Sequence, residues 1–171
     1  NRQSAAGSPD AGDVARIRRA IEESIDTAYD VARGLCPVDL DAEGLVTALK
    51  GLCHTVQRRG IACALQTEGD ATVADPDRAL QLYRIAGEAL TNAVKQAHAM
   101  RIVVRFVRES GWMELCVADD GTGIPPDAAV GLGRRIMAYR AGLIGGTLTV
   151  SGAPGQGTTV TCRIPDAGGA T

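Results

Sequence analysis

Apolar residues along this chain recur first at helical spacing and later at strand spacing. From Asp13 to about Ala32, the positions Val14, Ile17, Ile21, Ile25, Ala28 and Val31 or Ala32 fall at mixed three- and four-residue steps. That seam is narrow, closer to a bundle or coiled-coil stripe than to a broad core face, and Gly34 and Pro37 end it. A second helix is predicted from about Asp41 to Arg58 on Leu45, Ala48, Leu49, Leu52 and Val56, closed by Gly60. Ile61-Ala62-Cys63-Ala64-Leu65 reads as a strand, and a third helix follows from about Asp77 to Ala97. Two strands, Ile102–Val107 and Met113–Ala118, are joined by Glu109-Ser110-Gly111, a hairpin connection. A loop rich in Pro and Ala leads to a fourth helix, about Gly133 to Leu143, which Gly145-Gly146 breaks. The strand Thr147–Val150, the turn Pro154-Gly155-Gln156-Gly157 and the strand Thr158–Ile164 close the pattern. Helices early and hairpin-linked strands late predict an α/β sandwich, a mixed sheet covered on one face by helices.

Composition narrows the class. The 171 residues can bury one sizeable core, and with 3% aromatic residues that core is built mainly of Val, Leu, Ile and Ala. The net charge is −2, and no basic block is large enough to follow a phosphate backbone, so no nucleic-acid partner is expected. Five cysteines, odd in number and without Cys-x-x-Cys spacing, argue against disulfides or zinc and for a reducing cytoplasm. Cys63, Cys116 and Cys162 sit in strand-like runs, where a thiol behaves as a small buried hydrophobe. No apolar stretch is long enough to span a bilayer, so no membrane contact by this chain is expected. An anchor elsewhere in a full-length protein stays open. The first residue is Asn, and the chain is read as a piece of something longer.

Two segments carry the candidate chemistry. At about 100° per residue, Gln81, Arg84, Glu88, Asn92 and Lys95 fall on one stripe of the third helix, opposite Ala79, Leu82, Tyr83, Ala86, Leu90, Ala93 and Ala97. Alone, the stripe reads first as a solvated helix face, and the segments that follow reverse that reading. Some two dozen residues later, Asp119-Asp120-Gly121-Thr122-Gly123 follows a strand. Gly121 and Gly123 permit positive φ and a close backbone approach to a flat ring or a phosphate, although a tight turn explains them too. Gly131-Leu132-Gly133, just before a helix, can present backbone N–H groups to phosphate oxygens, or be an ordinary loop–helix junction. Gly155-Gln156-Gly157-Thr158 is a weaker signal of the same type. A carboxylate, a carboxamide and an ammonium beside such a turn suggest a metal-bound, multiply charged nucleotide. No Walker-type phosphate loop is present.

In this order and register, the segments resemble the ATP-binding domain of bacterial sensor histidine kinases, within the GHKL (Bergerat-fold) ATPase superfamily and most of all its nitrate-sensor-like subfamily. Arg84 to Lys95 is similar to the N box, Asp119 to Gly123 to the G1 box, and Gly131-Leu132-Gly133 to the G2 box. Gly142-Leu143-Ile144-Gly145-Gly146-Thr147-Leu148 and Gly157-Thr158-Thr159 match the closing segments, and the junction from Arg33 to Leu40 matches the link to the dimerisation helices. The resemblance covers roughly residues 14–165. It implies a two-layer α/β sandwich with a mixed, mostly antiparallel sheet, plus an N-terminal helix. It also implies a division into a lead-in over residues 1–12, a second dimerisation helix over 13–34, a catalytic domain over 35–167 and a tail over 168–171.

The resemblance implies ATP and magnesium as ligands, and roles for particular residues. Asn92 would give its amide oxygen to Mg2+, Glu88 would orient a water or act as general base, and Lys95 would face the phosphates. Asp119 would accept from the adenine amino group with Thr158 in support, while Gly121, Gly123, Gly131 and Gly133 would border the nucleotide. The implied partners are the protein's own dimerisation domain, as a homodimer in the full-length protein, and a cognate response regulator. Gln96 and Gly87 replace residues common in the subfamily, and the Ile124–Val130 loop is short, without a Phe-containing box. His54 and His98 lack an adjacent acid, so the phosphoacceptor histidine is expected on a segment upstream. The rival expectations are an anti-sigma-factor-type protein-serine kinase, an ATPase of the gyrase or chaperone kind, and a regulatory module that binds nucleotide without transferring phosphate.

Overall fold

The computed structural model of the protein describes residues 44–109, 111–125 and 127–166. The lead-in over 1–12, the helical seam over 13–34 and the tail over 168–171 lie outside the described residues. Among the described residues, three helices and five strands follow in the order α1 (Gly44–Gln57), β1 (Ala62–Glu68), α2 (Pro76–Lys95), β2 (Arg101–Glu109), β3 (Trp112–Asp119), α3 (Leu132–Leu143), β4 (Thr147–Gly152) and β5 (Thr158–Pro165). No described helix is long and apolar enough to cross a membrane.

The strands form one open sheet in the order β1-β2-β3-β5-β4, in which only β1 and β2 run parallel. The sheet is therefore mixed and mostly antiparallel. Register places Phe106 opposite Leu115, which sits opposite Cys162, which in turn faces Leu148. One row along, Val104, Val117, Val160 and Val150 line up in the same way. Because side chains alternate across a strand, these rows share one face, and that face meets the helices. Ile102, Val104, Phe106, Leu115, Val117, Cys162 and Ile164 are buried there against Leu45 and Leu49 of α1 and Leu82, Ile85, Ala86 and Leu90 of α2 in a single core.

Local chemistry sets the ends of α2, the helix that organises the site. The Asp75 carboxylate accepts from the N–H groups of Asp77 at 2.9 Å and Arg78 at 3.3 Å, and Pro76 occupies the first helical position. Capping of this kind contributes about 1 kcal/mol. The helix ends at Lys95, two residues before the expected end, because His98 adopts a left-handed φ of 53° and the Ala99 N–H turns back to the Ala93 carbonyl. Ala97, counted with the apolar face of the helix, is indeed buried, but from the turn that follows it.

Candidate functional site

Beyond the C-terminal half of α2, the chain forms a cavity of about 140 Å³. Its lining combines Asn92 and Gln96 from the α2 end, Asp119 from the end of β3, Thr122 and Gly123 from the following turn, and Arg134 and Met137 from α3. Ile124, Val150 and Val160 complete an apolar wall. Ligand sites usually enclose about 300–1,000 Å³, so this slot is small for a whole ligand.

Asp119 is fixed from one side. Its Oδ1 accepts from the backbone N–H groups of Gly121 at 2.9 Å and Thr158 at 3.2 Å. No described residue donates to Oδ2, which leaves one carboxylate oxygen for a ligand. The neighbouring Asp120 has another task. Its Oδ1 accepts from the Met100 and Arg101 N–H groups, each at 2.8 Å, so it ties the turn to the start of β2. Those two backbone donors hold its carboxyl below the usual range. The two adjacent acids thus divide into one that faces the cavity and one that builds the turn.

Close backbone approach keeps this turn in place. Thr122 N–H donates to the Ala97 carbonyl at 2.9 Å, Gly157 N–H to the Gly121 carbonyl at 3.0 Å and Gly155 N–H to the Thr122 carbonyl at 2.8 Å. Gly121 packs on Ala97, and Gly123 has a φ of 72° with the Ala153 carbonyl where a side chain would stand. These contacts require glycine at both positions.

The polar stripe of α2 is partly covered from Gln81 to Asn92, and only Lys95 at its end is exposed. Arg140 of α3 donates to Gln81 Oε1 at 3.1 Å. Further along, Asn92 Nδ2 lies 3.5 Å from Glu88 Oε1, and both side chains pack on Gly133. Met137, buried between these contacts, completes an antiparallel crossing of α2 and α3. Burial pulls the Arg140 guanidinium below its ordinary value, the nearby Arg84 charge adds to that, and Glu88 opposes it.

Of the residues predicted from the sequence, Asn92, Asp119, Gly123 and Thr158 line the cavity. Glu88 and Gly133 lie at its margin through their contacts with Asn92. Gly121 shapes the turn behind Asp119, Gly131 is the exposed N-cap of α3, and Lys95 is exposed and not part of the lining. Sequence reading missed Gln96, Thr122, Ile124, Arg134, Met137, Val150 and Val160. The alternation in β4 and β5 marked Val150 and Val160 only as core, and nothing in the sequence distinguishes Arg134 from Arg135.

This geometry is that of a Bergerat-fold ATP-binding domain. Residues 77–168 match the family described as histidine kinase-, DNA gyrase B-, and HSP90-like ATPase, and the chain belongs to it. Among relatives, it is similar to the signal transduction histidine-protein kinase/phosphatase UhpB of Salmonella typhimurium, with 31% identity over 163 residues covering 91% of this chain and 32% of that protein. The chain therefore spans about a third of the length of this curated relative. The histidine kinase domain of a blue-light-activated kinase from Erythrobacter litoralis matches with 28% identity and a TM-score of 0.57, over 71% of this chain and 58% of that one. The ATP-binding domain of PrrB from Mycobacterium tuberculosis shares the fold, with a TM-score of 0.58 at 23% identity over 70% of this chain and 91% of that one. The chain thus carries an ATP-binding catalytic domain of the sensor histidine kinase kind.

Proposed function

We propose that this domain binds magnesium ATP and donates the γ-phosphoryl group to a histidine presented by a dimerisation helix. The observation that carries the reading is Asp119, pinned through Oδ1 by two backbone donors and offering Oδ2 to the exocyclic amino group of adenine. Thr158 supports that contact through its backbone N–H.

The residues present suit a magnesium ion. Asn92 Oδ1 accepts from no described residue, and Mg2+ is commonly held by one or two protein oxygens together with phosphates and waters. No cluster of three His, Cys, Asp or Glu stands among the described residues, so Asn92 is the protein ligand proposed for it. When bound, magnesium neutralises phosphate charge during transfer. The first-turn N–H groups of α3, opened by Gly131 without a side-chain cap, face the phosphates with the helix dipole behind them. Glu88, beside Asn92, takes the proton from the attacking imidazole as its nitrogen bonds to the γ-phosphorus. The bridging oxygen leaves with ADP as the bond to that phosphorus breaks.

The acceptor helix beds on the outer face of α3. Leu132, Ile136, Tyr139 and Leu143 stand there at four-, three- and four-residue steps with exposures of 74%, 38%, 68% and 57%. Such a stripe is the mate of an amphipathic helix, and Leu132 adjoins the phosphate-facing turn. In this reading residues 13–34 form the second dimerisation helix of a homodimer, and a response regulator receives the phosphoryl group.

The test supplies the chain with magnesium ATP and a histidine-bearing dimerisation segment from the full-length protein. Acid-labile, base-stable phosphate on that segment is the expected product. Phosphoserine would favour the anti-sigma-factor-type kinase, and ATP binding without transfer would favour a regulatory module.

A further inference from the structure

The sheet ends in two edge strands, β1 and β4. An edge strand presents a row of unpaired N–H and C=O groups, and proteins commonly guard it with charges, proline, a bulge or a covering element. β1 is guarded. Gln57 of α1 donates through Nε2 to the Cys63 carbonyl at 2.6 Å, and Glu68 puts a charge at the end of the strand. β4 carries none of these devices. No charged residue occurs from Gly145 to Cys162, and β4 contains no proline. Its residues pair one-to-one with β5, from Thr147 with Arg163 to Gly152 with Thr158, so no bulge turns the edge away. Among the described residues, no backbone hydrogen bond other than the ladder to β5 reaches β4.

The side-chain pattern says what fits this edge. Thr147, Thr149 and Ser151 are exposed on the face away from the helices, while Leu148 and Val150 are half-buried on the helix side. An antiparallel mate centred on Thr149 sets that residue opposite its own copy, Leu148 opposite Val150 of the copy and Thr147 opposite Ser151 of the copy. Apolar then meets apolar, hydroxyl meets hydroxyl, and no like charges confront each other. Arg163, one strand further in, is held over the Trp112 ring with 4.1 Å to its centroid. This register also keeps both helix layers on one side, so that two five-stranded sheets run on as one. A slip by one residue would put the layers on opposite sides. A strand from an unrelated protein would have to be singled out by charge, and β4 offers none. We propose that β4 is a self-association edge, which pairs antiparallel with β4 of a second copy of this chain about Thr149. The inference goes beyond nucleotide binding and phosphoryl transfer and does not depend on either.

Cysteine scanning of the whole chain in an oxidising thiol–disulfide buffer tests both the pairing and its register. Thr149→Cys should form a disulfide between copies, mapped by mass spectrometry to position 149 in both, because directly opposed residues lie within disulfide reach. Thr147→Cys alone should stay mostly reduced, and Thr147→Cys combined with Ser151→Cys should bridge. Hydrogen exchange of the unmodified chain should show β4 amides becoming more protected as protein concentration rises. Thr149→Lys sets two like charges opposite each other and should weaken self-association about fivefold, with ATP affinity held within about twofold. Bridging at 147 alone as readily as at 149 would overturn the inference, as would β4 exchange that ignores concentration. A dimer held only through the 13–34 seam would leave β4 exchanging freely and position 149 reduced, and would overturn it too.

Discussion

Gly133 of α3 lies against the Glu88 carboxylate of α2, so that a methyl group at 133 would meet Glu88 Oε1 first and the Asn92 carboxamide next. The glycine-bounded turn and the N-box stripe are therefore one packed unit. Its geometry depends on the missing side chain at 133.

Gly133→Ala accordingly separates stability from activity. Alanine favours a helix over glycine by about 0.5–1 kcal/mol, so the melting temperature should hold or rise slightly. The added methyl displaces Glu88 and Asn92, and phosphoryl transfer should fall about 10- to 100-fold. A variant that melts early and transfers normally would contradict this packing account.

The sequence made the element order and the core rows legible because each depends on local periodicity. The seam of Leu45, Leu49, Leu52 and Val56 and the alternation through Val104, Phe106, Leu115 and Val117 are buried as their spacing requires. Ends were less legible. β1 continues to Glu68, beyond the apolar run, because pairing with β2 extends that far and Arg105 holds Glu68 at 2.8 Å. The site was legible where one residue carries a distinct chemistry, as Asp119 and Asn92 do. It was not legible where tertiary packing decides, since only the crossing of α2 and α3 places Arg134 and Met137 on the cavity and joins Arg140 to Gln81.

Asp120 should stabilise the fold in a pH-dependent way. Its folded pKa is depressed by the Arg101 and Met100 N–H groups, so its contribution is complete above the unfolded carboxylate pKa of about 3.9 and fades as pH falls through the folded value. Asn resembles the protonated acid. Asp120→Asn should therefore melt below the wild type at pH 7, and the gap should narrow as pH falls below about 4. Thermal melts across that range check it, and a gap that widens on acidification would reverse the assignment.

The outer stripe of α3 should matter for transfer and not for nucleotide. Tyr139→Ser and Leu143→Ser change exposed positions, which alter stability by about 0.5 kcal/mol or less. ATP affinity by calorimetry should remain within about twofold, a change of about 0.4 kcal/mol. Transfer to a dimerisation segment supplied in trans should drop by about tenfold for each, as expected for an interface anchor worth more than 1 kcal/mol. Unchanged transfer rates would remove the stripe as the acceptor's bed.

Asp119→Asn tests the base assignment with a change of sign rather than a simple loss. The Gly121 and Thr158 N–H groups point at one side of residue 119 and need an acceptor there. The asparagine oxygen is thereby held on that side, and its NH2 group takes the place of Oδ2. A donor then meets the adenine amino group, itself a donor, where an acceptor stood before. Loss of a charged hydrogen bond of about 1.5–3 kcal/mol should cost ATP about 10- to 150-fold in affinity. Inosine triphosphate carries a carbonyl at the same ring position and should gain relative to ATP, because the new NH2 can donate to it. Parallel titrations of both nucleotides into both proteins give the ratio. An equal loss for ATP and inosine triphosphate would show that Asp119 holds the turn and does not read the base.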